Sequence, residues 1–319
     1  MDPHRPKLDD VARLAGVSRT AASRAINGQP GTTDEVRARV RDAATRLGFR
    51  AHTAARALAS GRGAVGAAET VEILIVDPDP NALGAKPYYG RVMTGVMRAL
   101  SNLDVSVRLR VVPSAPASDD RPPFGRLLIN VPAPAAAAMR RTRSVSLGRS
   151  APGIAYVAPD NEDGARQAAQ HLISTGRRRI GAVFGPEMPC AEERKAGFLD
   201  LAASSGVDVT HRGGDFTRAT AYQATCSLLD QHPDLDAIFA VCDVTAIGVL
   251  QALRDTGRRV PDDVALVGFD GSSLSEAADL SSVYVPAEEE AARAVSTLLD
   301  PALASAGRLP TILAVRGSS

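Results

Sequence analysis

The chain of 319 residues has a formal net charge of +1, with 45% hydrophobic and 23% charged residues. This length allows a small module beside a larger domain, and the composition is typical of a globular protein. No stretch approaches the roughly eighteen apolar residues of a membrane-spanning helix, and the first residues, MDPHRPKLDD, lack the apolar centre of a signal peptide. The sequence therefore disfavours a secreted or membrane-spanning protein, and we expect a cytoplasmic one.

The overall charge hides a difference between two parts of the chain. Residues 1–62 contain twelve Arg or Lys and six Asp or Glu, a net charge of +6, which leaves −5 for the remainder. Such a basic segment indicates contact with a polyanion, although a solvated basic module also fits. The three cysteines have no CxxC spacing and the five histidines show no ligand spacing, so we predict neither a disulfide framework nor a metal site.

The first predicted elements are two short helices joined by a tight turn. In LDDVARLA, residues 8–15, apolar side chains recur with helical spacing, and Gly16 ends the helix. Ser18 is a favourable N-cap for a second helix that extends to about Asn27. Two short helices joined by a glycine-containing turn form a helix-turn-helix.

The second helix carries polar side chains suited to DNA. Arg19, Thr20 and Arg24 lie at or near its N-terminus, the end that enters the major groove in this motif. Arginine can bind guanine O6 and N7 together, and threonine can contact a base edge or a thymine methyl group. We predict phosphate contacts for Ser23 and Asn27. An amphipathic helical hairpin with solvated polar residues is the alternative for this segment taken alone.

A third helix and a short Ala-rich segment follow. Thr32 or Thr33 caps the third helix, and its predicted buried face contains Val36, Val40, Ala44 and Leu47. Residues 52–60, HTAARALAS, are too few to form a stable isolated helix, and Leu58 has no evident core to join within its own chain.

These N-terminal segments resemble the DNA-binding region of the lactose-repressor (LacI/GalR) family, through LDDVARLAGVSRTAASRAING and AARALAS. The resemblance implies that the second segment is a hinge that becomes helical on DNA, where two copies pair and insert leucines into a minor-groove step. Leu58 matches that leucine and Arg56 the arginine near it. Arg19, Thr20 and Arg24 match the base-reading positions.

Beyond Gly61 the predicted strands and helices alternate, the pattern of a parallel sheet covered on both faces. The predicted strands are 71–76, 105–112, 179–184, 236–241 and 263–269, and the predicted helices are 89–101, 191–205, 218–230 and 243–256. Gly61, Gly63 and Gly66 spell GxGxxG, but a strand follows where a dinucleotide site needs a helix, so we interpret them as a linker. No cofactor site and no catalytic motif is predicted, so we expect no enzyme.

The same region resembles the family's effector domain, which is similar to periplasmic sugar-binding proteins. The matching landmarks are DNEDGARQAAQHL (160–172), RRRIGAVFGP (177–186), ERKAGF (193–198), VPDDVALVGFD (260–270) and LPTILAVRGS (309–318). The resemblance implies an N-terminal all-α helix-turn-helix head plus an α/β effector domain of two lobes with a ligand cleft between them. The implied divisions are a DNA-binding domain at 1–50, a hinge helix and linker at 51–66, and an effector-binding and dimerisation domain at 67–319.

The resemblance also implies a set of effector contacts. The matching residues are Tyr88, Tyr89, Cys190, Arg194, Phe216, Cys242 and Asp270. Arg194 and Asp270 match groups that bind ligand hydroxyl or N–H groups, and Phe216 matches a stacking aromatic. Cys190 and Cys242 replace the usual hydroxyl and amide residues, so the effector is expected to be sugar-like or nucleoside-like, unusual, or absent. Residues 113–125 are too short and proline-rich for the usual helix, which predicts a shortened N-terminal lobe.

Together these features predict a repressor that binds a palindromic operator as a homodimer, since twofold protein symmetry matches twofold site symmetry. A small molecule in the cleft would modulate its affinity for DNA. The alternative is a cytoplasmic small-molecule sensor whose head no longer binds DNA.

Overall fold

The computed structural model describes residues 8–26, 32–47, 69–116, 123–139, 142–148, 153–300 and 307–319. The chain divides into two compact units, Met1–Ala67 and Ala68–Ser319. Among the described residues, no helix is both long and apolar enough to cross a membrane.

The first unit contains the three predicted helices. They are α1 (Leu8–Ala15), α2 (Arg19–Ile26) and α3 (Asp34–Arg46). Gly16 has a φ of +63°, which lets the chain turn sharply after α1. The Ser18 hydroxyl accepts a hydrogen bond from the amide of Ala21 at 3.1 Å, and the Thr33 hydroxyl accepts one from the amide of Val36 at 3.3 Å. Both predicted N-caps are therefore present.

The three helices enclose a small apolar core. Val11 of α1, Ala22 of α2 and Val40 of α3 are completely buried. Ala12, Ala15, Ala25 and Ala43 complete the buried set, and Val36, Ala44 and Leu47 pack against it. Since alanines predominate, the helices approach each other closely, and the polar face of α2 stays at the surface.

The second unit consists of two lobes, each built on a six-stranded sheet. The N-lobe sheet has the order β11-β5-β4-β3-β1-β2, and all of its strand pairs are parallel. Its strands are β1 (Glu69–Val76), β2 (Val105–Val112), β3 (Gly125–Ile129), β4 (Arg143–Leu147), β5 (Ala155–Pro159) and β11 (Gly307–Leu309). Its helices are α4 (Ala82–Ala85), α5 (Pro87–Leu100), α6 (Ala133–Ala138) and α12 (Ala287–Leu299).

The C-lobe sheet has the order β12-β10-β9-β8-β6-β7, and among its pairs only β10 with β12 is antiparallel. Its strands are β6 (Ile180–Val183), β7 (Val209–Arg212), β8 (Ala237–Ala240), β9 (Ala265–Asp270), β10 (Ser281–Tyr284) and β12 (Ile312–Ala314). Its helices are α7 (Asn161–Ser174), α8 (Pro189–Ser204), α9 (Arg218–Gln231), α10 (Asp243–Asp255) and α11 (Ser273–Ala277). Both lobes thus have the predicted doubly wound α/β architecture.

The chain crosses between the lobes more than once. Within the described residues, the crossings follow β5, β10 and β11. Helix α12 comes after the C-lobe strand β10 but packs against α5 and against strands β3, β4 and β5 of the N-lobe. Each lobe is therefore assembled from segments that are distant in sequence.

All five predicted strands and four predicted helices of this unit are present, with small shifts at their ends. Helices α5 and α8 each begin two residues earlier than predicted, at Pro87 and Pro189. Proline is favoured at the first helical position because no hydrogen bond is lost there. The shift places Tyr88, Tyr89 and Cys190 in first helical turns, next to the carboxyl ends of the strands.

One face of the N-lobe sheet carries a charged cluster beside an apolar cluster that includes Leu74 and Leu128. Glu72 of β1 is completely buried and pairs with Arg108 of β2, Arg110 of β2 and Arg126 of β3, at 3.0, 3.3 and 2.7 Å. The connection from β2 to β3 has no helix in its described part, and residues 117–122 lie outside the described ranges. The shortened N-lobe therefore stays a prediction.

Candidate DNA-binding and effector sites

The predicted DNA-contacting residues of α2 lie on its outer surface. Arg19, Thr20 and Arg24 are exposed, and Ser23 is partly buried. The Nε atom of Arg19 lies 3.3 Å from a carboxylate oxygen of Asp9, and both side chains are largely exposed. An exposed ion pair of this kind contributes little to stability, so the guanidinium is available to other acceptors. Asn27, Arg56 and Leu58 lie outside the described residues.

The seven predicted effector contacts line a single cavity between the lobes. Sequence reasoning missed several further lining residues. They are Lys86, Pro87, Asn130, Leu147, Gly148, Pro159, Asn161, Met188, Pro189 and Val244. The cavity has a polar wall in each lobe and apolar side chains between the walls.

The C-lobe wall is organised around an ion pair. Arg194 of α8 lies 3.0 Å from a carboxylate oxygen of Asp270, at the end of β9. The same guanidinium donates to the carbonyl of Val241 at 2.8 Å and to the amide oxygen of Asn161 at 2.9 Å. It also stacks 3.8 Å from the ring centre of Phe269. These contacts fix the guanidinium plane, so the wall is preorganised before a ligand enters.

Asp270 has a backbone φ of +104°, which is rare outside glycine. Burial raises the pKa of Asp270, and the charge of Arg194 opposes that rise. Burial by itself would lower the pKa of Arg194, but the Asp270 carboxylate raises it above its usual value. Each partner thus favours the charged form of the other, as in a buried ion pair.

Two thiols flank this ion pair. Burial raises the pKa of Cys190, and it raises that of Cys242 to about 12. The Cys242 sulfur lies 3.2 Å from the hydroxyl of Thr245. Both side chains are therefore neutral thiols at neutral pH, which contribute polarisable surface and only weak hydrogen bonds.

The N-lobe wall contains a hydrogen-bonded chain centred on Tyr89. The Tyr89 hydroxyl donates to Asp77 at 2.6 Å and accepts from the amide nitrogen of Asn130 at 2.7 Å. Lys86 donates to the same oxygen of Asp77 at 2.7 Å. Burial would raise the pKa of Asp77, but the bonds from Lys86 and Tyr89 outweigh it and lower that pKa. Asp77 and Asn130 follow β1 and β3, neighbouring parallel strands, so both lie at the same sheet edge.

A second tyrosine of this wall contacts a buried acid. The Tyr88 hydroxyl lies 3.1 and 3.0 Å from the two carboxyl oxygens of Glu290 in α12. The amide of Gly148 donates to one of these oxygens at 2.6 Å. Burial raises the pKa of Glu290 to about 8. Sequence analysis missed this residue because it ends the run Glu288–Glu290, which reads as the solvated first turn of a helix.

Arg91 joins helix α5 to the segments that cross between the lobes. It forms two bonds with the Glu288 carboxylate, at 3.0 and 2.8 Å. It also donates to the carbonyls of Asp270 at 2.9 Å and Val285 at 2.8 Å. One guanidinium thus binds both the N-lobe helix α12 and the C-lobe residue whose carboxylate faces the cavity.

Comparisons with known proteins identify the family. The family model for bacterial regulatory proteins of the lacI family matches residues 7–51, and the model for a periplasmic binding protein-like domain matches residues 169–319. The HTH-type transcriptional regulator CelR of Thermobifida fusca is 35% identical over 305 residues, covering 89% of this chain and 88% of that protein. The chain belongs to the LacI family. The HTH-type transcriptional repressor CytR of Escherichia coli is 27% identical, covering 92% of this chain and 89% of the relative.

Solved structures of LacI-family proteins have the same fold. A CelR–cellobiose complex matches with a TM-score of 0.69 and 32% identity, covering 99% of this chain and 100% of the other. The lac repressor dimer bound to operator and the anti-inducer ONPF matches with a TM-score of 0.68 at 21% identity, covering 98% of each chain. The predicted fold class and family are confirmed, and this LacI-family protein is a DNA-binding transcriptional regulator.

Proposed function

We propose that this regulator is a repressor that binds a palindromic operator as a homodimer. Arg19, Thr20 and Arg24 contact base edges, and Ser23 and Asn27 contact phosphates. The exposed positions of Arg19, Thr20 and Arg24 on a helix whose inner face is buried support their assignment. Arg56 and Leu58 belong to the proposed hinge, where Leu58 of each subunit inserts into the central minor groove.

The proposed effector is a neutral sugar that occupies the interlobe cavity. The observation that carries this proposal is that all seven predicted contacts surround one space. Two opposite-charge pairs, Lys86 with Asp77 and Arg194 with Asp270, balance the charge of its walls. Balanced charge with polar walls and apolar surfaces suits a neutral polyhydroxylated molecule better than a phosphorylated or acidic one. The CelR–cellobiose complex makes cellobiose the first ligand to test.

The remaining assignments follow from this role. The proposed divisions are a DNA-binding domain at 1–50, a hinge helix and linker at 51–66, and an effector-binding and dimerisation domain at 67–319 with a shortened N-lobe. Since its proposed target is the operator, the protein acts in the cytoplasm. The relatives named above are transcriptional regulators. The polar groups that line the cavity are held in place by hydrogen bonds and ion pairs, which suits recognition of a ligand, so we propose binding without catalysis. Within residues 8–26 and 32–47, the exposed polar face of α2 disfavours the alternative of a sensor that no longer binds DNA.

Footprinting on genomic fragments tests the DNA-binding proposal. We expect a protected near-palindrome whose affinity falls steeply with salt, because phosphate contacts release counterions. Arg24→Ala should relax specificity at one base position of each half-site, at a cost of about 1–3 kcal/mol on the preferred sequence. Equal weakening on every sequence would reassign Arg24 to a phosphate contact. Arg13→Ala, at an exposed position of α1, is a matched control for the loss of one positive charge.

Calorimetry with cellobiose, other neutral disaccharides, nucleosides and phosphosugars tests the effector proposal. A neutral sugar should bind the wild type, and Arg194→Lys should lose most of that affinity because one ammonium group cannot replace the guanidinium contacts. Arg166→Lys, on the exposed face of α7, is the control. Binding of only charged ligands or nucleosides would contradict a neutral sugar effector.

A further inference from the structure

Glu290 lies directly behind two residues that face the cavity. Its side chain is completely buried, and its partners are the Tyr88 hydroxyl and the Gly148 amide. Tyr88 and Gly148 line the cavity, whereas Glu290 is not among the lining residues. A ligand at this wall would therefore meet Glu290 through the hydroxyl group of Tyr88.

The partners of Glu290 are neutral, which disfavours its ionised form. Two arginines exert their charge on it, but Arg91 is bonded to Glu288 and Arg194 to Asp270. A buried acid with only neutral hydrogen-bond partners favours the protonated state. Burial accordingly raises the pKa of Glu290 to about 8, against the lowering effect of Tyr88, Gly148 and the two arginines.

The other ionisable groups on elements packed against α12 have separate positions or partners. Strands β3, β4 and β5 contribute Arg126, Arg143 and Tyr156. Arg126 pairs with Glu72, and Arg143 donates to the carbonyls of Leu298 and Leu299, at the opposite end of α12 from Glu290. On α5, Tyr89 is bonded to Asp77 and Asn130. Among the described residues, Tyr88 is thus the ionisable side chain that bonds directly to Glu290.

The protonation state of Glu290 determines what the Tyr88 hydroxyl can offer a ligand. A tyrosine hydroxyl has one hydrogen to donate and lone pairs to accept, whereas an ionised carboxylate only accepts. Ionised Glu290 therefore holds the Tyr88 hydrogen. Protonated Glu290 can instead donate its own hydrogen to the Tyr88 oxygen, which releases the tyrosine hydrogen. The pKa of Tyr88 is well above its ordinary value, so the hydroxyl keeps its hydrogen in both states.

We propose that Glu290 is a positioning residue that sets the hydrogen-bond direction of Tyr88 toward the effector. In the protonated state, Tyr88 donates into the cavity and selects an acceptor atom, such as a sugar oxygen. In the ionised state, Tyr88 turns its hydrogen to Glu290 and leaves an acceptor at the cavity wall. This inference rests on the proposed function for its ligand, but the hydrogen-bond switch itself exists without one.

Nuclear magnetic resonance of the full chain tests the switch without any ligand. The five tyrosines are labelled with carbon-13 at the ring carbon that bears the hydroxyl, and Tyr88→Phe identifies the relevant signal. We expect this signal to shift with a midpoint near pH 8, without the large change of phenol ionisation. The shift should vanish in Glu290→Gln, whose amide does not titrate, and persist in Glu289→Gln, a matched control on the exposed face of α12.

A Tyr88 signal that does not titrate between about pH 7 and about pH 9 would overturn the proposal, and this result needs no variant of Glu290. Persistence of the titration in Glu290→Gln would overturn it as well.

Cellobiose binding by the same proteins provides the second measurement. If only the protonated form donates to the ligand, the affinity of the wild type should fall about tenfold from pH 7 to pH 9, following the protonated fraction. Glu290→Gln should bind equally at both pH values. Equal loss of affinity in wild type and Glu290→Gln would overturn the role of Glu290 in recognition. Absence of cellobiose binding at every pH would count against this proposed effector, while the ligand-free titration would still decide the switch.

Discussion

The two walls of the cavity present hydrogen-bonding groups to a ligand in different ways. In the C-lobe wall, Arg194 forms an ion pair with Asp270, and its guanidinium is fixed by Asn161 and the Val241 carbonyl. In the N-lobe wall, the Tyr89 hydroxyl donates to Asp77, and the proposed direction of the Tyr88 hydroxyl depends on the protonation of Glu290. The first wall offers a ligand a fixed set of donors and acceptors.

The second wall has one donor that can change with protonation. The difference shows that a charged pair fixes the groups that a site offers to a ligand, whereas a neutral pair lets one of them change with pH. Arg194 and Asp270 each favour the charged form of the other, whereas burial raises the pKa of Glu290, which has no cation bonded to it, to about 8. We expect the C-lobe wall to contribute most to stability and the N-lobe wall to contribute most to pH dependence.

The largest effect should come from breaking the charged pair. Arg194→Ala leaves the Asp270 carboxylate buried without its partner, and we expect the free energy of unfolding to fall by about 3–5 kcal/mol. Urea denaturation measures this loss. Arg166→Ala removes an arginine from exposed ion pairs and should cost less than about 1 kcal/mol. If both variants lost the same small amount of unfolding free energy, the ion pair would not be what holds the C-lobe wall in place.

A smaller effect should follow from removing the junction between the walls. Arg91→Ala removes charge-assisted bonds to Glu288 and to two carbonyls, and we expect a loss of about 2–3 kcal/mol. Arg293→Ala, which removes an exposed pair with Glu289, is the control. Thermal unfolding with two probes would show whether the lobes still unfold together. A loss of stability no larger than that of the control would show that Arg91 does not couple the two walls.

The smallest effect is the pH dependence of stability. Because folding raises the pKa of Glu290 to about 8, the folded state binds more protons than the unfolded state above about pH 4.5, so stability falls as pH rises. We expect this residue to account for about 1–2 kcal/mol between pH 6.5 and pH 8.5.

Glu290→Gln should remove that part of the slope. The fall in stability from about pH 4 to about pH 6 should persist in this variant, since burial raises the pKa of Asp243 to about 6. Chemical denaturation from about pH 4 to about pH 9 measures both falls in stability. An unchanged slope in Glu290→Gln would show that the N-lobe wall does not titrate.

The sequence was sufficient for the three helices of the head, for five strands and four helices of the second unit, and for part of each cavity wall. Helical spacing, caps and strand-like runs predicted α1 to α3 and the main strands because those signals are local. The resemblance to a family supplied the seven cavity residues, which the structure places around one space. Their proposed roles in binding are still predictions.

The missed residues depend on contacts that local patterns do not encode. Glu290 is buried only because α12 returns to the N-lobe and packs against α5. Its neighbours Glu288 and Glu289 are partly exposed and exposed, so nothing in the run AEEE distinguishes the third glutamate. Lys86 and Asn130 lie in short connections, where polar residues are ordinarily solvated. Asn161 stands within the DNEDGARQ landmark, but its bond to Arg194 requires α7 and α8 to pack side by side.

The interleaved strands of the two lobes have a consequence for synthesis on the ribosome. Strand β11 completes the N-lobe sheet and β12 the C-lobe sheet, so neither sheet is complete until residues 307–314 have emerged from the ribosome. Helices α1 to α3 have their own core and precede those residues by roughly 260 positions. At about 5–20 residues per second, that interval lasts on the order of 10–50 s. A nascent chain can therefore fold helices α1 to α3 well before its two-lobed domain is complete.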